Sequence, residues 1–440
     1  HWVYEDTRRD LTEAGEEVEA VIEAALAAVA GTIEPGATTR PVLVANPLPF
    51  PRHELVAHDG RLVPVEAPAC GWAVVDLDDP PALPAPPVAT GDGWMDNGVL
   101  RVAWDTDGLL TSVRHLPSGR EALAPDRRGN ELQVLEDRPA NWDAWDIDRE
   151  AFATARAVLG AEAVEVTEAG PERAVLRVVR TVGRSRIEQE IRLTRGSGRL
   201  EVHCEVDWHE DHTLLKVAFP LDVRTPVARH EIQFGHVERP THANTSWDEA
   251  RFETCAHTWV DLSEPGFGVA LLNDSKYGHD VSANVVRLSL LRAPTWPDPV
   301  ADRGHHTFAY ALYPHAGSFA DGGVIAEAHA FNSPLWLVPL SAASTGTGPG
   351  RASVVTVDDP GVVLAAVKPA DDGDGTVLRL HEAFGGRRRV TLTVPGAVRA
   401  TLVDLLEDPL DASTIPVDDG RLTLEVRPFE LVSLRLTGAG

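Results

Sequence analysis

Ser185-Arg-Ile-Glu-Gln-Glu-Ile-Arg-Leu193, Arg195-Gly-Ser-Gly198 and Arg199-Leu-Glu-Val-His-Cys-Glu-Val206 follow one another in close succession. Apolar and polar residues alternate with period two on both flanks, and a glycine-bearing turn separates them. The stretch reads as an antiparallel hairpin, with Leu200, Val202, Cys204 and Val206 sharing one face. Similar runs recur from Trp94 to about Leu340 without an intervening helical pattern. Strands in such a series argue for antiparallel β-sandwich domains, so the fold expected is mainly β.

Outward from this block the pattern changes at both ends. Trp2 to Ala30 carries Leu11, Val18, Ile22, Leu26 and Val29 at turns of the 3.6-residue period, and Gly31 with Pro35-Gly36 stops it. It reads as one long helix left from a helical bundle, because a lone amphipathic stripe in water needs partners to cover it. Pro41 to Val65 gives short strands around Asp59-Gly60, and Asp79 to Pro87 is a proline-rich connector. Ser344-Thr-Gly-Thr-Gly-Pro-Gly350 reads as a flexible linker, and alternating runs from Ser353 to Leu436 make a second, smaller β unit. The expected divisions are 1–31 (bundle helix), 32–90 (small β domain and connector), 91–341 (large sandwich), 342–351 (linker) and 352–440 (terminal β domain).

With 440 residues, 43% of them hydrophobic, the chain can bury substantial cores. A formal charge of −27 repels nucleic acid and anionic membrane surfaces, and leaves neutral ligands open. Cys70, Cys204 and Cys255 have neither the number nor the spacing of a disulfide framework, which fits a reducing, cytoplasmic location. No apolar run approaches the roughly 20 residues of a membrane span. The one methionine is Met95, so His1 is not a natural start and the chain reads as a piece of a longer protein. Lysine occurs only at Lys216, Lys276 and Lys368; the two in the most polar region supply a compact point charge where arginine would supply a planar fork, or fall there by chance.

That region runs from Val206 to His315 and holds most of the 17 histidines. So many ionisable groups must be paired, solvated or lining a wet cleft, which marks a functional surface or a polar seam. Asp207-x-His209-x-x-His212 offers metal-ligand types, but on a strand Asp207 and His209 converge while His212 turns away. Asp248, Asp274, Asp280, Asp298 and Asp302 are candidates for a glycosidic carboxylate pair, which needs two carboxyls about 5 to 9 Å apart; acidic loop residues are more often simply solvated. Asn141-Trp-Asp-Ala-Trp-Asp-Ile-Asp148 and Asn244-Thr-Ser-Trp-Asp248 place indoles beside carboxylates and amides, which suits either a sugar face or a domain seam.

Asp207-Trp-His-Glu, Leu214 to Pro220, Ile232 to His242, Asn244 to Asp248, Ala250-Arg-Phe-Glu253 and Leu272 to Gly278 together resemble the C-terminal half of glycoside hydrolase family 38, in its cytosolic and vacuolar α-mannosidase type. Trp142 to Asp148 and the ending Arg427-Pro-Phe-Glu430 are similar too, and the likeness covers essentially the whole chain. The resemblance implies a retaining α-mannosidase built from an N-terminal α/β barrel, a helical bundle and β-sandwiches, with a zinc ion and an aspartate nucleophile in the barrel. Trp2 to Asp6 resembles the segment just after the family's last zinc-ligand motif, so His1 is not taken for a ligand. Barrel, nucleophile and metal ligands lie outside this chain, which is expected to be inactive alone, with no catalytic or metal-binding residue of its own.

The chain then supplies scaffold and part of the cleft wall to an enzyme acting on α-mannoside oligosaccharides. Trp247, Asp248, Asn273, Lys276, Tyr277 and Arg292 are the candidate substrate-binding or orienting residues, and the same residues would also serve to bind sandwich to barrel. Two rivals are a non-catalytic carbohydrate-binding or assembly module, and a self-sufficient glycosidase using Asp248 and Asp298. The partners expected are the substrate and the upstream barrel and bundle, with homo-oligomerisation open.

Overall fold

The computed structural model describes residues 2–341 and 344–438, with the backbone alone for 411–413. His1 and the first two residues of the expected 342–351 linker lie outside the described residues. Two compact units emerge: one holds Pro84–Glu231 and Val237–Asn332 with the helix start through Ala14, the other holds Gly15–Leu83, Ile232–His236 and the chain from Ser333 onward.

The first unit is an antiparallel sandwich organised around the expected hairpin, whose strands are Ser185–Thr194 and Leu200–Trp208. They sit inside a nine-stranded sheet that also contains Gly304–Ala316, Phe267–Asn273 and Trp259–Glu264 in that order. A six-stranded sheet centred on Thr213–Pro220 and Val285–Leu291, and a five-stranded sheet running from Ala89 to Glu121, complete the unit. Period-two alternation sends Leu200, Val202, Cys204 and Val206 into one continuous core with Trp208, Val217, Phe219, Leu288 and Tyr310. A chain of hydrogen bonds runs through that core: Gln189 Nε2 donates to Tyr310 Oη (2.8 Å), which donates to Asn130 Oδ1 (2.6 Å). The helix Val324–Asn332 buries Val324, Ile325 and Ala328 against the sheet.

The second unit pairs Trp336–Pro339, Pro41–Asn46, Gly71–Asp76 and Arg351–Ser353 in one sheet. Trp336–Pro339, read from sequence as the tail of the large sandwich, therefore belongs here. Beyond it, a five-stranded sheet with Thr376–Glu382 and Leu431–Thr437 at its centre faces a three-stranded one across a core of Leu378, Leu380, Val390, Leu392 and Leu434.

The helix runs Trp2–Thr32, and only Ala30 is buried. Of its apolar stripe, Leu11 and Val18 are 68% and 58% exposed, while Ile22, Leu26 and Val29 are half-buried. The glycine stretch read as a flexible linker packs along the end of this helix. Gly348 N donates to Thr32 O (2.8 Å), Glu34 N to Gly348 O (3.0 Å) and Val74 N to Gly350 O (2.7 Å). A β-carbon on Gly346 would lie 2.5 Å from the Thr32 carbonyl carbon, so glycine there permits close backbone approach.

Candidate functional site

The Val206–His315 region resolves into three places, all in the first unit. The first is built around Lys216. Its strand runs through the interior, so the side chain is fully buried, and its Nζ is held by Glu253 Oε2 (2.6 Å), Ser289 Oγ (2.8 Å) and Asp280 Oδ2 (2.8 Å). Arg287 grips the other Asp280 oxygen from Nε (2.8 Å) and Nη2 (2.7 Å). Two cations and two carboxylates thus close on themselves, and Phe152 lies over Lys216 Nζ and the Arg287 guanidinium at 5.1 and 5.2 Å. A compact ammonium reaching three acceptors is what lysine does and a planar guanidinium does not.

Beside this set a cavity of about 240 Å³ is lined by His230, Arg239, His242, Asp248 and Arg287, among others. His230 and His279 meet edge to face at 6.5 Å. Burial, with Arg239 nearby, pushes His230 down to about 4; burial, with His230 and Lys216, pushes His279 down to about 3. Both rings are neutral near pH 7. Asp248 reaches this cavity from a single helical turn, Ser246–Glu249, but its carboxylate is largely engaged in a capping box: Oδ2 accepts from Thr245 N (3.2 Å) and Thr245 Oγ1 (2.8 Å). Trp247, next to it, is 77% exposed.

The second place is the turn after the strand Phe267–Asn273. Asn273 is fully buried; its Nδ2 donates to His257 O (2.8 Å) and its Oδ1 accepts from Lys276 N (2.8 Å), so it shapes the turn from inside. Lys276 Nζ lies 4.5 Å over the Phe308 ring. Its burial lowers its proton affinity, opposed by Asp274 and Asp302. Phe308 and Asp274 also line a hollow of about 450 Å³ with Glu188, Glu190, Arg192 and His203. Tyr277 is exposed, its ring 5.9 Å from that of His257.

The third place is a clamp around Arg292. Nε binds the buried Asp137 carboxylate (2.7 Å), Nη1 the Ala144 carbonyl (3.3 Å), and Nη2 the carbonyls of Asp143 (3.1 Å) and Asp146 (2.7 Å). Asp143 Oδ2 in turn accepts from Thr295 N (2.7 Å) and Trp296 N (3.0 Å), while Oδ1 lies 3.5 Å from His212 Nδ1. Burial raises the Asp143 proton affinity, but these backbone donors and His212 outweigh it and hold the carboxyl below its usual range. Trp142, Trp145 and Trp296 are gathered on this clamp, with ring centroids 6.5 and 5.8 Å apart in edge-on arrangements.

The six sequence candidates therefore fall into three groups: Trp247 with Asp248, then Asn273 with Lys276 and Tyr277, and Arg292 apart. Every nitrogen of the Arg292 guanidinium and both polar atoms of the Asn273 amide are engaged within the fold. Trp247 and Tyr277 face solvent. His209 Nε2 meets Asp207 Oδ1 (2.7 Å) while His212 turns to Asp143; the strand ends at Trp208, so the loop after it, with His212 at φ 47°, sets this divergence and not the strand alternation expected from sequence. Among the described residues no three His, Cys, Asp or Glu side chains converge on a point that could hold a metal ion. Sequence reading named Asp280 as a candidate carboxylate without its pairing to Lys216, and it missed Glu253 and Arg287 as members of that set and Trp296. The one available signal for Trp296 was an indole set between Pro294 and Pro297 beside two polar residues.

The chain is thus a mainly antiparallel β protein whose first unit carries polar, indole-rich loops. The profile described as "Glycosyl hydrolases family 38 C-terminal domain" matches residues 95–300, and "Glycosyl hydrolases family 38 C-terminal beta sandwich domain" matches residues 361–434. Alpha-mannosidase 2C1 of Homo sapiens is 44% identical over 433 residues, which is 94% of this chain and 41% of that protein. Alpha-mannosidase of Saccharomyces cerevisiae is 31% identical over 77% of this chain and 34% of its own length. The crystal structure of an alpha-mannosidase from Enterococcus faecalis V583 superposes with a TM-score of 0.75 at 14% identity, over 94% of this chain and 58% of that one, and so shares the fold. The chain belongs to glycoside hydrolase family 38, as the C-terminal β region of its α-mannosidase branch. It spans about two fifths of the length of the human relative. No helix among the described residues is long and apolar enough to cross a membrane.

Proposed function

We propose that this chain is the C-terminal part of a retaining, zinc-dependent α-mannosidase that hydrolyses terminal α-mannosides of oligosaccharides in the cytoplasm. Its similarity to proteins named alpha-mannosidase along 94% of its length carries the reading. In that enzyme the chain contributes scaffold and part of the cleft wall. The Asp248 cavity and the Lys276–Tyr277 turn face the sugar, while Asn273 shapes that turn from inside and Arg292 holds the segment 142–146.

The residues present do not fit a zinc ion, since no three candidate ligands converge among those described. The metal and the carboxylate nucleophile are therefore assigned to the part of the relatives that this chain does not span. The helix from Trp2 to Thr32, whose apolar stripe is exposed at Leu11 and Val18, fits a bundle completed by upstream sequence.

Hydrolysis of an aryl α-mannoside tests the reading directly. The 440-residue chain should be inactive with or without added zinc. A version extended upstream to the length of the relatives should be active and should lose activity on chelation. Turnover by the shorter chain would place the chemistry inside Val206–His315 and overturn the assignment.

A further inference from the structure

Three tryptophans from two segments about 150 residues apart in sequence sit together on the surface of the first unit. Trp142, Trp145 and Trp296 are 66%, 66% and 54% exposed. Folding gains little from indoles left so open, yet their support is elaborate. Trp145 N and Asp146 N both donate to Trp142 O, which curls the segment into one turn. Three of its carbonyls point inward to Arg292, itself anchored on the buried Asp137. Asp143 ties the turn to Thr295 and Trp296. Trp142 is held at φ 58°, a left-handed conformation that a bulky residue adopts only when its surroundings impose it. The rings are thus fixed in place while remaining open to solvent.

The composition of the patch selects its ligand. No indole N–H of the three bonds to another described residue, and the exposed Asn141 and Asp146 stand in the same turn. Rings set edge-on present separate facets with polar groups at their rims. A pyranose has the matching chemistry: an apolar C–H face to lie on an indole, and hydroxyls to meet the N–H, amide and carboxylate groups around it. A chain carrying a net −27 charge disfavours acidic glycans.

We infer that Trp142, Trp145 and Trp296 form a carbohydrate-binding platform for a neutral oligosaccharide. Arg292, Asp137 and Asp143 act as its positioning residues. The platform itself follows from the geometry; the choice of an α-mannosyl chain as its ligand rests on the proposed function. It holds part of a glycan and carries out no chemistry.

Calorimetric titration of the intact chain with α-mannotriose and, separately, cellotriose provides the test. Saturable binding of α-mannotriose is expected, weakened about tenfold or more by Trp145→Ala and only partly by Trp145→Phe, with unchanged melting temperatures. Should Trp145→Ala melt early, Trp296→Ala reads the same surface from the other segment. Binding of both sugars with equal dependence on Trp145 upholds the platform and removes the mannosyl preference. The inference is overturned by binding of neither sugar, or by α-mannotriose binding that both alanine variants leave intact. It is also overturned if the variants affect only association with the upstream polypeptide, since the patch is then a protein dock. Platform binding that persists while the extended protein fails to hydrolyse an aryl α-mannoside would sink the enzyme reading alone.

Discussion

Within one sandwich, the Lys216 cluster and the tryptophan clamp reverse the usual placement of residues. Lys216 is wholly inside and Asp280 nearly so, while Trp142, Trp145 and Trp296 are outside. The buried charges are mutually satisfied, two against two, so they are held by one another and offer nothing to a ligand. The exposed rings leave their polar edges unsatisfied by the fold. A buried charge set of this kind specifies how strands meet, whereas a surface of open rings on a rigid support is available for recognition. The comparison predicts that substitutions in the first region act on stability and those in the second on binding.

The largest effect should follow Lys216→Met. It leaves Glu253 and Asp280 facing each other with Arg287 as their remaining cation, and breaking a buried pair from one side costs about 3 to 5 kcal/mol. Urea unfolding of the first unit should show a lowered midpoint with unchanged slope. A shift equivalent to less than about 1 kcal/mol would mean that water reaches the cluster and that it is not a closed set. Next in size is Arg292→Gln, which deprives the buried Asp137 of its cation and frees three carbonyls, at about 2 to 3 kcal/mol. This substitution joins the two regions, because it should also loosen the tryptophan turn. Faster acrylamide quenching of tryptophan fluorescence would register that loosening, and unchanged quenching would show that the turn holds itself.

How much of this could be read from the chain depended on the range of the interactions. The hairpin from Ser185 to Trp208 and the helix from Trp2 were legible because period two and period 3.6 are local properties. Asp207 does meet His209 and His212 does diverge, but the strand ends at Trp208, so the loop after it and not the alternation sets both. Lys216 sits in Leu214-Leu-Lys-Val-Ala-Phe219, where sequence gives no sign of whether a lysine is inside. Its partners Glu253, Asp280 and Arg287 arrive on other elements. Asn273 resembled a ligand contact because amides often are, but its amide closes the turn of its own chain through Lys276 N. The glycines after Ser344 are equally suited to flexibility and to close packing, and only the neighbouring helix end decides for packing.

Acid should separate the regions by a third measure. His230 and His279 have folded-state proton affinities pushed below the ordinary histidine value of 6.5, to about 4 and about 3. The unfolded chain therefore binds more protons than the folded one between roughly pH 6.5 and the folded values. Their contribution is fully present above pH 6.5 and is lost as pH falls toward 4, by about 2 kcal/mol for the pair after allowance for relaxation. A stability profile from pH 7.5 to 4.5 should show this loss, and His230→Phe should flatten part of it. A profile that His230→Phe leaves equally steep would assign the acid sensitivity to carboxylates instead.

The smallest expected change is the most discriminating. Trp145→Ala removes a ring that is two-thirds exposed and touches Trp142 and Trp296 edge-on, so its unfolding free energy should move by no more than about 0.5 to 1 kcal/mol. Lys216→Met, in contrast, should destabilise severalfold more while leaving the indole surface in place wherever the protein remains folded. Measured together at a temperature where both variants are native, the two should give opposite patterns. One protein is nearly as stable as the parent and deficient in sugar binding, and the other is fragile and competent. If Trp145→Ala proves as destabilising as Arg292→Gln, the rings are part of what holds the turn, and the exposed tryptophans belong with the buried charges as elements of the fold.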